Sequence, residues 1–394
     1  RPPRSTLSPS SAASDVYKRQ ILKHVEFLGN LSTRLTGYPD TWTAINYVYS
    51  ELSKYKLDLV YLQNYSLVIP YIDEAYLEVY VNGEYYKFRV YPLWPNLVQT
   101  SPTPQEGIIG DLIYGGSGRL EEVNGLNLNN SIILLEYSSG YNWIRLADLG
   151  AKAIVFIEPP SANRLESFTK FLYVNFYMPR VYLKREKGNF LKNLILKSGN
   201  RVKAKLYIKY FLKEVKSANV IAFIKGSEYP NDTIVLSAYI DDWSPVPELA
   251  SQYDTASGAA VLLETARIFS KIRPKLSVLI VFFTGHWEGL AGVRAFVEDI
   301  FDYFVDHKIT YHPVWNYTRP KFMFSLDLST GSRNIAIVHS GGFYHIVGPA
   351  LYDYSGQMYQ DAYLNFQLEW RQNLTEIVKK KMKQKMFSDL YKTI

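Results

Sequence analysis

The stretch NDTIVLSAYIDDW at 231–243, the helix-patterned ASGAAVLLETARIFSKI at 256–272 and the apolar run SVLIVFFTG at 277–285 decide the fold. The first and last pieces have the length and the β-branched and aromatic content of strands. The last is apolar almost throughout, as a strand covered on both faces must be. The middle piece repeats apolar residues at helical spacing and is closed by Arg273-Pro274. A strand, a helix and a second strand in that order predict parallel strands joined by a crossover helix. Outward from these pieces, NVIAFIKG (219–226) reads as a preceding strand and GLAGVRAFVEDIF (289–301) as a further helix. KFMFSLDLS (321–329) and NIAIVHS (334–340) read as two more strands. The expected class is α/β, with a mixed, mostly parallel sheet flanked by helices.

The region before residue 216 has another texture. LEVYVNGEYYKFRVYPL (77–93) alternates apolar and polar residues across Asn82-Gly83, a hairpin signal. IILLEY (132–137) and AIVFIE (153–158) are short buried-strand runs, with YNWIRLADLGAK (141–152) between them as a short helix. RVKAKLYIKY (201–210) alternates again. A small β-rich domain with one or two helices is expected at 61–215, and an α/β domain at 216–394. Two helices are expected at 21–60, one carrying Ile21, Val25 and Leu28 and one after Pro39 carrying Ile45, Val48, Tyr49 and Leu52. Residues 1–20, rich in Ser and Pro, read as a linker or non-native leader, and the natural chain is expected to continue past MFSDLYKTI.

Of the 394 residues, 47% are hydrophobic and 21% charged, a globular balance. The net charge of +7 is spread along the chain, which argues against a nucleic-acid partner. The run Lys379, Lys380, Lys381, Lys383 and Lys385 reads as a solvated helix face before it reads as a membrane contact. Cysteine is absent, so any metal must sit on Asp, Glu, His or weaker ligands. Asn30, Asn64, Asn129, Asn231, Asn316 and Asn373 open N-glycosylation sequons, and with 33 Tyr they suggest an extracellular or cell-surface protein. Membrane attachment would then come through a segment beyond this sequence.

In open α/β sheets the working residues gather at the carboxyl ends of strands. Here those ends hold Tyr239, Asp241 and Asp242, then His286, Trp287 and Glu288, then Asp327, while Asp254 lies in the loop before a helix. A rim of carboxylates with a His is what a divalent cation needs. Taken singly each residue has a plainer reading. Asp254 could cap its helix, and Asp327 could be a turn residue.

Between about 24 and 345 the sequence resembles metallopeptidase family twenty-eight, the zinc aminopeptidases and carboxypeptidases that include the non-catalytic transferrin receptor. The resemblance is carried in order by LSTRLTGYPDTWTAINYVYSEL, LNNSIILLEYSSGYNWIRLADLGAKAIVFIEPP, SANVIAFIKGSEYPNDTIVLSAYID, YDTASGAAVLLETARIF, VLIVFFTGHWEGLAGVRAFV and FSLDLSTG. It implies that the β-rich segment is an inserted protease-associated domain. It also implies a zinc exopeptidase that acts on peptide termini, with Asp254 as bridging metal ligand, Asp327 as a second ligand and Asp241 orienting a ligand.

The departures from the family pattern fall in the same place. The first His ligand falls on Tyr239, the catalytic Glu on His286 and the adjoining Glu ligand on Trp287; Glu288 is one place late between Gly285 and Gly289. Trp has no ligand atom for a metal, and Tyr binds zinc only as phenolate. Zinc is therefore expected as a single ion or not at all. His286 would act as a base or a ligand beside Asp254 and Asp327, or would simply sit against a leftover carboxylate. Three functions follow: a metallo-exopeptidase; a binding or scaffold protein that has lost the chemistry, with a peptide or protein as partner; or a protease-associated domain that works through Tyr141 and Trp143, residues that core packing would equally explain.

Overall fold

The computed structural model describes residues 9–161, 164–250 and 255–328, and the side chains of 17–161, 165–250 and 255–328. Asp254, the strand expected at 334–340, His345, Asn373 and the lysine run at 379–385 lie outside the described residues. The chain divides into Arg19–Thr330 and a second unit of Arg1–Lys18 with Gly331–Ile394, of which only helix from Pro9 to Lys18 is described.

Helices α1 (Pro9–Gly29) and α2 (Pro39–Ser53) come first. The sequence places the start of α1 at Ile21, but the helix begins at Pro9, inside the stretch expected to be a leader. Next come β1 (Leu59–Val81), β2 (Glu84–Arg89) and β3 (Tyr91–Pro92). Asn82 and Gly83 both have positive φ, 51° and 81°, which a tight hairpin turn requires. A parallel series follows: β4 (Ile108–Tyr114), α3 (Leu120–Val123), β5 (Ile132–Glu136), α4 (Asn142–Asp148), β6 (Ala153–Ile157), α5 (Arg164–Phe168) and β7 (Arg180–Leu183). Helix α6 (Arg185–Lys197) then leads into β8 (Val202–Ile224). The segment expected to be β-rich is thus strand–helix–strand in its centre. Gly188 obscures α6 in the sequence, but it packs on Ile157, where a methyl group would collide.

The last series is β9 (Tyr229–Tyr239), α7 (Ala256–Phe269), β10 (Leu276–Phe283), α8 (Ala291–Phe304) and β11 (Arg319–Ser325). Strand β9 lies between β10 and β11, parallel to both, and β10 runs antiparallel to β8. The fold is therefore the expected mixed α/β sheet flanked by helices. Strands β1 and β8 form one antiparallel ribbon from Leu59↔Phe223 to Tyr80↔Lys203, with a bulge between Ile72 and Glu74. One end of β8 pairs with β10 and the other with β4, so the ribbon ties both strand series into one continuous sheet.

Strand β10 is covered on both faces. Val278, Ile280 and Phe282 meet Leu28, Ile45, Val48 and Leu263 on one side, and Leu279, Val281 and Phe283 meet Phe296 and Trp315 on the other. This double cover fixes the direction of the strand and hence the place where its carboxyl end delivers His286. Each of these large side chains is worth roughly 2–5 kcal/mol against Ala.

Candidate functional site: an aromatic and acidic rim at the strand ends

Strands β9, β10 and β11 end side by side, and the turn after β10 is held tightly. Gly285 and Gly289 have φ of 68° and 66°, and Leu290 also has positive φ, 58°. A side chain at Gly285 would run into the Tyr65 hydroxyl and Ala291, and one at Gly292 into the Thr284 carbonyl. The two turn glycines are therefore needed where they stand. The turn presents His286, Trp287 and Glu288 to the ends of β9 and β11.

Tyr239, the last residue of β9, is 8% exposed and stacks on the His286 ring, with centroids 4.2 Å apart. Its hydroxyl donates to Asp327 Oδ1 at 2.9 Å. Burial first, and then the charge of Asp327, push the Tyr239 phenol well above its usual range, so it stays protonated. Trp287 meets the His286 ring edge-on at 5.0 Å and lies 5.9 Å from Trp243, which in turn stacks on Phe168 at 5.8 Å. His286 is half-buried, and burial lowers its pKa against the opposing pull of Asp327, so the ring is neutral.

Asp241 takes no part in that stack. It is fully buried, and its Oδ2 accepts from the Thr36 hydroxyl and the His286 backbone N–H, each at 2.9 Å. Burial pushes its carboxyl up to about 7. The Thr36 hydroxyl also accepts from the Gly285 N–H at 2.7 Å. Asp242 is bound instead by Arg34, whose guanidinium donates to Asp242 Oδ2 at 3.3 Å, to the Ile240 carbonyl at 3.0 Å and to the Leu28 carbonyl at 2.6 Å. The R-x-T-G motif between α1 and α2 thus fastens the end of β9 through Arg34 and Thr36. Composition does not reveal these partners, although the quoted motif contains both.

Of the residues expected to converge, the structure brings together Tyr239, His286, Trp287 and Asp327. Asp241 joins through the backbone of His286. Asp254 lies outside the described residues, but the helix that it leads into approaches the same place. A side chain at Gly258 would collide with the Leu326 carbonyl, and the Leu326 N–H donates to the Ser237 carbonyl at 2.7 Å. In the β4–β7 segment Trp143 is wholly buried, while Tyr141 is exposed.

Among the described residues no three His, Asp or Glu side chains group as a metal ion needs. At the rim itself they offer one carboxylate, Asp327, which already accepts from Tyr239, and one imidazole stacked against that Tyr. That donor set does not fit a pair of zinc ions.

The model of Peptidase family M28 matches residues 219–361, the part of the chain that builds this rim. A probable zinc metalloprotease of Pyrenophora teres f. teres is 34% identical over 85 residues, 20% of this chain and 18% of that protein. Carboxypeptidase Q of Xenopus laevis is 23% identical over 292 residues, 69% of this chain and 60% of that protein. The matched stretches thus span less than two thirds of these relatives' own lengths. A zinc aminopeptidase of Bacillus subtilis superposes with a TM-score of 0.48 at 20% identity, over 78% of this chain and 67% of that one. Across its α/β segment, then, the chain is similar to peptidase family M28.

Proposed function

We propose that this chain is an M28 peptidase homologue whose di-zinc centre has been replaced by an aromatic stack, and that it binds a peptide or protein without hydrolysing it. The observation that carries this reading is the contact between Tyr239, His286 and Asp327. The phenol occupies the strand end that the family pattern gives to an imidazole ligand, and its hydroxyl proton points at the carboxylate a metal would use. A protonated phenol donates where a metal ligand must accept. Trp287, at the Glu-ligand position, adds a ring with no acceptor atom.

Five described sequon asparagines, Asn30, Asn64, Asn129, Asn231 and Asn316, are all exposed. That exposure supports placing the protein outside the cell or on its surface. The β4–β7 segment is read as the family's protease-associated insert, with the binding role shared between it and the rim.

The test is hydrolysis of aminoacyl reporter substrates with and without added zinc or cobalt. No turnover above that of the buffered metal is expected under either condition. Metal-dependent turnover that Asp327→Ala abolishes would establish the other reading, a single-metal hydrolase that uses His286.

A further inference from the structure

Two adjoining loops carry no charge. In a chain that is 21% charged, the stretches 91–105 and 171–179 contain no Asp, Glu, Lys or Arg. The first runs on from β3 and the second lies between α5 and β7. Asn96, wholly buried, fastens them: its Oδ1 accepts from the Leu172 N–H at 2.8 Å and its Nδ2 donates to the Phe176 carbonyl at 2.7 Å. The Leu97 N–H donates to the Leu172 carbonyl at 2.8 Å, and the Tyr177 hydroxyl donates to the Pro102 carbonyl. The joined loops turn Leu97, Val98, Tyr173, Val174 and Tyr177 outward, each at least half exposed. Beneath them buried Phe171 meets Tyr173 edge-on at 5.4 Å and Trp243 at 5.5 Å. Leu97 is the first tip residue of a two-residue turn closed by Asn96 and Gln99, and its φ is 51°. Gly or Asn takes that backbone at little cost, and at Asn82, Asn130 and Asn200 this chain uses Asn. A bulky Leu there is strained, and half of its side chain faces solvent.

We propose that this face joins two copies of the chain about a two-fold axis. Its five side chains offer on the order of 500 Å² of apolar surface, as much as a monomer usually leaves bare in one patch. With a polar border it reaches the ~800 Å² per partner of a specific interface. Depletion of charge together with Tyr is the mark of an interface centre. A second copy is the occupant that the charges favour. The net charge of +7 makes two copies repel over most of their surface, and the uncharged face is where they approach freely. About a two-fold axis each patch meets its own kind, so nothing charged is buried. A lipid surface would call for cations around the tips, but Lys170 and Arg180, which bracket the second stretch, are both buried. The proposal does not rest on the reading of the rim.

The experiment is sedimentation velocity of the full chain across micromolar concentrations, with Leu97→Asp and Tyr173→Glu alongside. The parent should sediment as a dimer. Each variant should associate about a hundredfold more weakly, or not at all, because the two-fold axis sets the new carboxylate against its twin. Asp accepts positive φ more readily than Leu, so Leu97→Asp should keep the fold. Should it not fold, Tyr173→Glu decides, at a side chain 73% exposed. A parent that stays monomeric throughout the range would overturn the proposal, as would a dimer that both variants keep. A monomeric parent that floats with phosphatidylcholine vesicles, and loses this in Leu97→Asp, would assign the face to a membrane and overturn the pairing as well.

Discussion

The hydroxyl of Tyr239 donates to Asp327 Oδ1 at 2.9 Å and so joins the carboxyl ends of two parallel neighbours, β9 and β11. One supplies a proton and the other accepts it. Tyr239→Phe should therefore cost about 0.5–1.5 kcal/mol in denaturant unfolding, the net value of a neutral donor on a carboxylate that keeps some solvent. A cost near zero would mean that the pair is not formed in solution.

Restoring the ligand types should restore affinity. The double change Tyr239→His with Trp287→Glu supplies an imidazole and a carboxylate at the strand ends. Zinc affinity, measured by competition with a chromophoric chelator, should rise by about tenfold or more. The loss of the contacts of Trp287 with His286 and Trp243 should also lower stability by about 3 kcal/mol. Unchanged affinity in a folded double variant would show that these residues do not stand at the ligand positions.

Arg34 is wholly buried and holds the Asp242 carboxylate as well as two backbone carbonyls. Arg34→Met should cost about 3–5 kcal/mol, because it removes the guanidinium from a buried carboxylate. Equilibrium unfolding measures this directly.

Most of the architecture was legible from residues 219–328 because strand and helix periods alternate there without interruption. The double cover of β10 follows from its unbroken apolar run. Helix α6 was hidden by Gly188, whose lack of a side chain serves packing on Ile157 rather than chain breaking. The continuity of β1 and β8 through the expected boundaries at 61 and 215 was hidden as well, because the ribbon changes from buried to exposed along its length. At the rim, the residue types could be read but their pairing could not. Nothing in the sequence says that Asp327 would meet Tyr239 rather than His286. Glu288 reads as one of the rim acids, one place late in the family pattern, yet its carboxylate oxygens are sealed from solvent.

The approach of α7 to β11 rests on Gly258. Gly258→Ala would drive a methyl group into the Leu326 carbonyl. A loss of about 1–3 kcal/mol is expected from the forced shift, despite the better helix propensity of Ala. A stabilised variant would contradict this packing of α7 on the end of β11.

His312 gives a pH signature. Its Nδ1 accepts from the Val314 and Trp315 N–H groups, each at 3.1 Å, so the ring must be neutral in the fold. Burial lowers its pKa from 6.5 to about 4. Between those values the unfolded chain binds the proton and the folded chain does not, so stability falls as pH drops through about 6.5 towards 4. His312→Asn should flatten that part of the stability–pH curve relative to the parent, as read from melting temperatures across the window.

Zinc content of the purified chain, by elemental analysis after equilibration with micromolar zinc and removal of loosely held ion, bears most directly on the lapsed centre. Far less than one zinc per chain is expected, since the strand ends offer a protonated phenol that donates to Asp327 and an indole, neither of which can accept a metal. One or two tightly held zinc ions per chain, lost on Asp327→Ala, would contradict it.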